Sequence, residues 1–218
     1  MLNKIITYIL KPVLNHAARR VILGRRKSTC SDEGRYSSRD VRRFQKLVWH
    51  NFRELLPDIP QEPTFSARVL LLSSCASLAM YRALVEQGLQ QEQAISIIED
   101  TIWQMIRGSV TVSGFAAKML IRDPQRRLKI SIRAANRYIF SRPAFSREDL
   151  PGESSVDFDY VRCPIADYFK GYDLGEICFG AYCAQDYAIA SQWSSHLERS
   201  GTLAGGSERC DFRWALRV

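Results

Sequence analysis

The spacing of the apolar residues changes after Pro143, and this change constrains the fold more than any other feature of the sequence. Before Pro143, apolar residues recur every three or four positions, which is typical of amphipathic α-helices. After it, residues 156–160 alternate between apolar and acidic side chains, as a half-buried strand does. The chain is therefore predicted to have an α+β fold, in which an N-terminal helical set precedes a strand–helix–β-hairpin unit.

The helical set contains a basic first helix, a polar linker and several further helices. The predicted helices span residues 2–23, 39–56, 65–87, 92–107, 114–121 and 122–140. We expect Gly108 and Gly114 to interrupt the helical pattern, because glycine is a poor helix former. No apolar run approaches the roughly 20 residues that a membrane-spanning helix needs. The predicted domain organisation is 1–38 for the basic helix and linker and 39–218 for an α+β domain.

The strand–helix–hairpin unit is predicted from the remaining residues. Its predicted strands are 154–162, 197–203 and 210–218, and its predicted helices are 164–169 and 174–193. Gly205 and Gly206 lie between the last two strands, where a tight turn favours glycine. The last two strands are therefore expected to form a hairpin.

The charge is distributed unevenly along the chain. Residues 1–150 carry 25 Lys and Arg against 13 Asp and Glu, whereas residues 151–218 carry 6 against 10. A basic amphipathic segment, residues 2–27, predicts either peripheral contact with an anionic membrane or packing on the body or another subunit. No nucleic-acid motif accompanies the charge, so we expect no nucleic-acid partner. Five basic residues form a stripe that predicts a solvated helix face rather than an anion-binding rail: Arg122, Arg126, Lys129, Arg133 and Arg137.

Four of the six cysteines follow residue 160, and they predict a thiol-rich site. No secretion signal is recognisable, so we expect reduced thiols and a cytoplasmic location, with the membrane periphery as the alternative. No Cys-x-x-Cys or closely spaced His pair occurs, and we expect neither a metal nor a cofactor. These four cysteines are Cys163, Cys178, Cys183 and Cys210.

Carboxylates and cations accompany the thiols. On a helix, Asp186 shares a face with Cys183 at i, i+3, and Glu176 shares it at i, i+7. Because negative charge raises the pKa of a thiol, activation requires a cation or a helix N-terminus. The candidate cations are His196, Arg199 and Arg213.

Several short motifs in this region resemble the L-2-amino-thiazoline-4-carboxylic acid hydrolase family. They are Cys163-Pro164, Gly175-Glu-Ile-Cys178, Cys183-Ala-Gln-Asp186, Arg199-Ser-Gly-Thr202-Leu-Ala-Gly205 and Cys210-Asp-Phe-Arg213. The resemblance covers about residues 155–214 and implies ring opening of a cyclic isothiourea, a small-molecule substrate, to an N-carbamoyl cysteine. The domain 39–218 is then hydrolase-like.

The implied reaction needs a nucleophile, a carboxylate for the amidinium nitrogens and a cation for the substrate carboxylate. We therefore assign catalytic roles to Cys183, Asp186, Glu176 and Cys163, and substrate-binding roles to Arg199, Arg213, Thr202 and Cys210. Cys183 is the preferred nucleophile, and an activated water is the alternative. A non-catalytic small-molecule or metal-binding module and an anion-surface binder also stay open.

Overall fold

The computed structural model describes residues 2–27, 34–152 and 155–217. It confirms the α+β architecture, with helices first and a four-stranded antiparallel sheet towards the C-terminus. The long helices are α1 (Leu2–Ile22), α2 (Ser38–Leu55), α3 (Phe65–Glu86), α4 (Gln91–Leu120) and α5 (Pro124–Tyr138). Part of the predicted linker, residues 28–33, and the predicted start of the first strand at Ser154 lie outside the described residues.

Helix α4 differs from its prediction because it continues through both glycines. The loss of helix propensity at one glycine is about 1 kcal/mol, which tertiary packing can outweigh. At Gly114 the packing is visible, since a Cβ there would lie 3.3 Å from Cδ1 of Trp193. Gly114 thus allows the indole to approach the helix backbone and does not end the helix.

The sheet has the strand order β1-β2-β4-β3, and every neighbouring pair is antiparallel. Its strands are β1 (Ser146–Leu150), β2 (Val156–Arg162), β3 (Ser195–Glu198) and β4 (Cys210–Leu216). The predicted β3–β4 hairpin is confirmed, but β3 ends at Glu198, so residues 199–203 belong to the connecting loop. Strand β1 was not predicted, because its residues lack an apolar alternation.

Short helices occupy the stretch between β2 and β3. They are α6 (Pro164–Lys170), α7 (Gly175–Cys178) and α8 (Gln185–Gln192), with a π-helical turn at Phe179–Cys183 between α7 and α8. The single predicted helix over 174–193 is therefore two helices joined by a wider turn.

Two faces of the sheet differ in chemistry because side chains alternate along each strand. Tyr160 pairs with Cys210 and Phe158 pairs with Phe212, so these four side chains lie on one face. This face, which we call the thiol face, is buried. The acidic residues between them point to the other side of the sheet.

The described residues divide into two compact units. One contains Met1–Pro60 and Val69–Met105, and the other contains Gln61–Arg68 and Ile106–Val218. The sheet, the short helices and all of the predicted site residues belong to the second unit. The predicted domain boundary at residue 38 stays a prediction.

Helix α3 is long and apolar enough, by length and composition alone, to cross a membrane. This finding corrects the expectation that no apolar stretch approaches the length of a membrane-spanning helix. The mean hydropathy of α3 over 18 residues is 1.4, and 61% of that stretch is buried within the protein. Burial of this extent is what the core helix of a soluble protein shows, so the helix is weak evidence for a span.

Candidate active site

A π-helical turn brings two thiols together. The turn closes with a hydrogen bond from the Ala184 N–H to the Phe179 carbonyl, 3.1 Å away and five residues earlier. Side chains five positions apart lie on one side of such a turn. Cys178 and Cys183 therefore face each other, and their thiols are hydrogen-bonded.

The pKa values of the four clustered thiols shift in opposite directions. Burial raises the pKa of Cys163 to about 12 and the pKa of Cys210 to about 11. The hydrogen bond to Cys183, and then burial, raise the pKa of Cys178 well above its usual range. The same hydrogen bond lowers the pKa of Cys183, although burial opposes it. Cys183 is thus the thiol of the four that ionises most readily.

The guanidinium of Arg199 bridges Cys183 and Asp186. Nη1 donates to Oδ2 of Asp186 at 2.7 Å, and Nη2 donates to the backbone carbonyl of Cys183 at 3.0 Å. The rings of Tyr187 and Phe212 lie 5.2 and 5.1 Å from the guanidinium, and 2% of the Arg199 side chain is exposed. Burial raises the pKa of Asp186 to about 6, although Arg199 opposes the rise. Asp186 can therefore exchange a proton near neutral pH.

A carboxylate on β4 fixes the backbone just after Arg199. Asp211 accepts hydrogen bonds from the Ser200 N–H at 3.0 Å, the Ser200 hydroxyl at 2.6 Å and the Gly201 N–H at 2.7 Å. Burial works against the ionised Asp211, yet these hydrogen bonds lower its pKa to about 2. The β3–β4 loop is thus tied down where Arg199 enters the site.

The same loop carries Thr202 and reaches Cys210. The Leu203 N–H donates to Sγ of Cys210 at 3.1 Å, and the buried Thr202 hydroxyl accepts from the Gly205 N–H at 2.9 Å. The Thr202 hydroxyl is therefore engaged within the loop that holds Cys210.

Helix α7 approaches this loop closely because residue 175 is a glycine. A Cβ at Gly175 would lie 2.6 Å from the carbonyl oxygen of Ala204, closer than real Cβ contacts occur. The close approach to Ala204 therefore explains why the first residue of the Gly175-Glu-Ile-Cys178 motif is a glycine.

The structure brings five of the eight predicted site residues into electrostatic contact. They are Cys163, Cys183, Asp186, Arg199 and Cys210. Cys163 is the N-cap residue of α6, where the nearby Ala166 and Ile165 N–H groups act to lower the pKa of its thiol, but burial outweighs them and keeps the thiol neutral. Thr202 lies near Cys210, because the N–H of the next residue, Leu203, donates to the Cys210 sulfur.

Two predicted site residues are placed differently. Glu176 is exposed on the first turn of α7, whereas Cys178 is buried. The expectation that Glu176 and Cys183 share a face assumed a regular α-helix. The π turn changes the rotation of the chain between the two residues, so their side chains do not share a face. Arg213 lies on the other side of β4 from Cys210, where Nη1 donates to Asp159 at 2.8 Å.

Three residues of this site were not predicted from the sequence as site members. Cys178 was noted but received no role, because a π turn has no simple sequence signature. Tyr160 and Arg147 pair across β2 and β1 on the thiol face, and Tyr160 interacts electrostatically with Asp186. Arg147 was missed together with its strand.

A shallow cleft of about 480 Å³ lies at the β3 edge of the sheet. Arg199 and Arg213 both line it, together with Tyr187 and Asp211. The four thiols are not among its lining residues, although Cys163 and Cys183 are partly exposed. Within residues 2–27, 34–152 and 155–217, no group of three or more His, Cys, Asp or Glu side chains is arranged to hold a metal ion.

Comparison with known proteins agrees with the motifs. A family model for L-2-amino-thiazoline-4-carboxylic acid hydrolase matches residues 70–214, which is more than half of the chain. The chain belongs to the L-2-amino-thiazoline-4-carboxylic acid hydrolase family. The hydrolase match extends well before residue 155 and includes α4 and α5, whereas residues 1–69 lie outside it. No curated protein and no solved structure matches the chain.

Proposed function

We propose that the protein is a hydrolase that opens the ring of a cyclic isothiourea or thiazoline amino acid, such as L-2-amino-thiazoline-4-carboxylate. Family membership supports the reaction class. The observation that carries the proposal further is the hydrogen bond from Cys178, which favours the thiolate form of Cys183. Among the four clustered thiols, Cys183 has the one lowered pKa, so it is the proposed nucleophile.

The proposed reaction has two steps that balance with one water. First, the Cys183 sulfur attacks the amidine-like carbon, the bond from that carbon to the ring sulfur breaks, and the ring sulfur takes up a proton. Water then attacks the same carbon, the bond to Cys183 breaks, and the water oxygen becomes the carbonyl oxygen of an N-carbamoyl cysteine. The thiolate is regenerated.

Asp186 supplies the proton exchange in this proposal. With a pKa of about 6 it is populated in both forms near neutral pH. The protonated form can give a proton to the departing ring sulfur, and the carboxylate can take one from the attacking water. Arg199 bonds both Asp186 and the Cys183 carbonyl, which supports the proposal that the two residues act on one reacting carbon.

Arg199 is a positioning residue in this proposal rather than the cation that binds substrate. Its side chain is enclosed, and both Nη atoms already donate to Asp186 and to the Cys183 carbonyl. It therefore fixes the distance between nucleophile and acid, and it offsets the negative charge that both acquire.

The direct test is turnover by the purified chain with L-2-amino-thiazoline-4-carboxylate, followed by mass detection of a product heavier by one water. We expect Cys183→Ser to lower kcat by roughly a thousandfold or more, because an alcohol is far less ionised than a thiol. Cys210→Ser is the comparison variant and should lower kcat less than Cys183→Ser does, since the raised pKa of Cys210, about 11, keeps its thiol neutral.

Three outcomes contradict this assignment in different ways. Near-full activity of Cys183→Ser would show that an activated water attacks, with Asp186 or Glu176 as the base. A larger loss in Cys210→Ser than in Cys183→Ser would move the nucleophile to Cys210. Stoichiometric metal or tight substrate binding without any turnover would show a non-catalytic module.

A further inference from the structure

Helix α1 carries two apolar stripes, and one of them has no partner within the described chain. Ile6, Leu10 and Leu14 are buried, whereas Ile5 and Ile9, one position earlier, are 52% and 61% exposed. Since successive residues are turned by about 100°, the two stripes lie on different sides of the helix. The second stripe consists of Leu2, Ile5, Tyr8, Ile9 and Val13, all exposed.

The packing of α1 accounts for the first stripe. α2 packs against it, and Trp49 of α2 donates from Nε1 to Oδ1 of Asn15 at 2.8 Å. Gln45 of α2 donates to the Asn15 carbonyl at 2.8 Å, so the orientation of α1 is fixed. This orientation directs the stripe at Ile5 and Ile9 away from the core.

The surroundings of the exposed stripe are strongly basic. α1 contains no acidic residue, and α1 and α2 together carry nine Lys or Arg side chains against two acidic ones. The exposed basic residues are Lys4, Lys11, Arg19, Arg20, Arg39, Arg42, Arg43, Lys46 and Arg53. An apolar stripe within a basic surface matches the interface of an anionic bilayer, where acyl chains lie beneath negative headgroups.

We infer that α1 docks this protein on the surface of membranes that contain anionic phospholipids. Ile5, Ile9 and Val13 insert into the headgroup–acyl boundary, and exposed basic side chains of α1, such as Lys4 and Arg20, contact the phosphates. The helix lies in the plane of the interface, because its buried stripe stays packed within the protein. The inference does not depend on the chemistry of the thiol site.

The test is sedimentation of the full chain with vesicles of phosphatidylcholine alone or of phosphatidylcholine with phosphatidylserine. We expect binding to the anionic vesicles, at least about tenfold weaker binding to the neutral ones, and a marked loss when the salt concentration rises well above physiological. Ile5→Gln/Ile9→Gln should weaken binding by roughly tenfold or more, because two exposed apolar side chains no longer insert.

The control variant is Val112→Gln/Phe115→Gln on α4, which removes two other exposed apolar side chains, 68% and 66% exposed. It should bind vesicles like the unchanged protein. Thermal unfolding and hydrolysis of a soluble substrate should be unchanged in Ile5→Gln/Ile9→Gln.

Three results would overturn the inference. The first is equal binding to neutral and anionic vesicles. The second is equal loss of binding in the α1 and α4 variants. The third is a self-associated protein in size-exclusion chromatography that Ile5→Gln/Ile9→Gln converts to a monomer without any change in vesicle binding, which would make a second copy of the chain the partner of the stripe.

Discussion

Nη1 of Arg199 donates to Oδ2 of Asp186 at 2.7 Å, and 2% of the Arg199 side chain is exposed. The pair joins the β3–β4 loop to α8. Because Asp186 has its pKa raised to about 6 by burial even with Arg199 beside it, the carboxylate depends on this one guanidinium for its charge. The site is therefore sensitive to the loss of either partner.

Arg199→Gln should destabilise the protein by roughly 1–3 kcal/mol at pH 8, because it leaves the largely buried Asp186 carboxylate, 21% exposed, without its counter-ion. The loss should be smaller at pH 5, where Asp186 is mostly protonated. Chemical denaturation at both pH values measures this difference. Arg209→Gln is the control, since its side chain is 50% exposed and Asp159 keeps Arg213. An equal loss at pH 5 and pH 8 would contradict the role of charge.

Asp186 should produce an alkaline limb in the pH dependence of kcat/KM. The first proposed step needs the protonated carboxyl to give a proton to the departing ring sulfur, so the rate should fall as pH rises through the Asp186 pKa of about 6. Asp186→Asn should lower the rate and remove this limb. A limb that persists in Asp186→Asn would assign it to another group.

The raised pKa of Asp186 also predicts how stability depends on pH. The folded protein holds this proton up to about 6, whereas the unfolded chain releases it near 3.8. The contribution of Asp186 to the free energy of unfolding therefore falls as pH rises from about 4 to about 6. Asp186→Asn should lack this fall, and denaturant midpoints at several pH values measure it. An identical pH dependence in both proteins would contradict the shift.

Gly175→Ala should lower both stability and activity. The new Cβ meets the Ala204 carbonyl at 2.6 Å, so either α7 or the loop that holds Cys210 must move, at a cost of about 1–3 kcal/mol. Gly108→Ala is the matched control, because nothing lies within 4 Å of its Cβ and it should stabilise α4 by about 0.5–1 kcal/mol. Thermal unfolding of both variants decides the matter, and a stabilised Gly175→Ala would refute the close approach.

Cys178 should control the acidity of Cys183. Cys178→Ala removes the hydrogen-bond donor, so the pKa of Cys183 should rise and its alkylation rate at pH 7 should fall by about tenfold. Cys178→Ser keeps a donor and should restore much of the rate. Equal rates in Cys178→Ala and the unchanged protein would show that the thiol pair has no such effect.

The sequence was informative where local rules decide the structure. The apolar periodicity located α1, α2, α3 and α5 to within a few residues, and the motifs identified the family and most of the thiol cluster. The i, i+3 spacing correctly associated Cys183 with Asp186, which share Arg199. These features depend on residues that are close in the chain.

The structure departs from the sequence-based expectations at several places, each for a specific physical reason. Gly114 lies within a continuous helix because Trp193, 79 positions later, packs on it. The π turn displaced Glu176 from the face of Cys183, and strand alternation turned Arg213 away from Cys210. Long-range packing encloses Arg199 between Tyr187 and Phe212, and its expected role in substrate binding stays a prediction. Each of these contacts depends on tertiary structure rather than on spacing.

The central claim is that Cys183 is the activated thiol of the site, and site-resolved alkylation tests it most directly. The native full chain is treated with iodoacetamide between pH 6 and pH 10, and the modified peptides are quantified by mass spectrometry beside residual activity. We predict that Cys183 reacts first, that the pH midpoint of its alkylation lies below the usual thiol pKa of 9, and that activity is lost in parallel. Earlier reaction of Cys163 or Cys210, or loss of activity while Cys183 stays unmodified, would contradict the account.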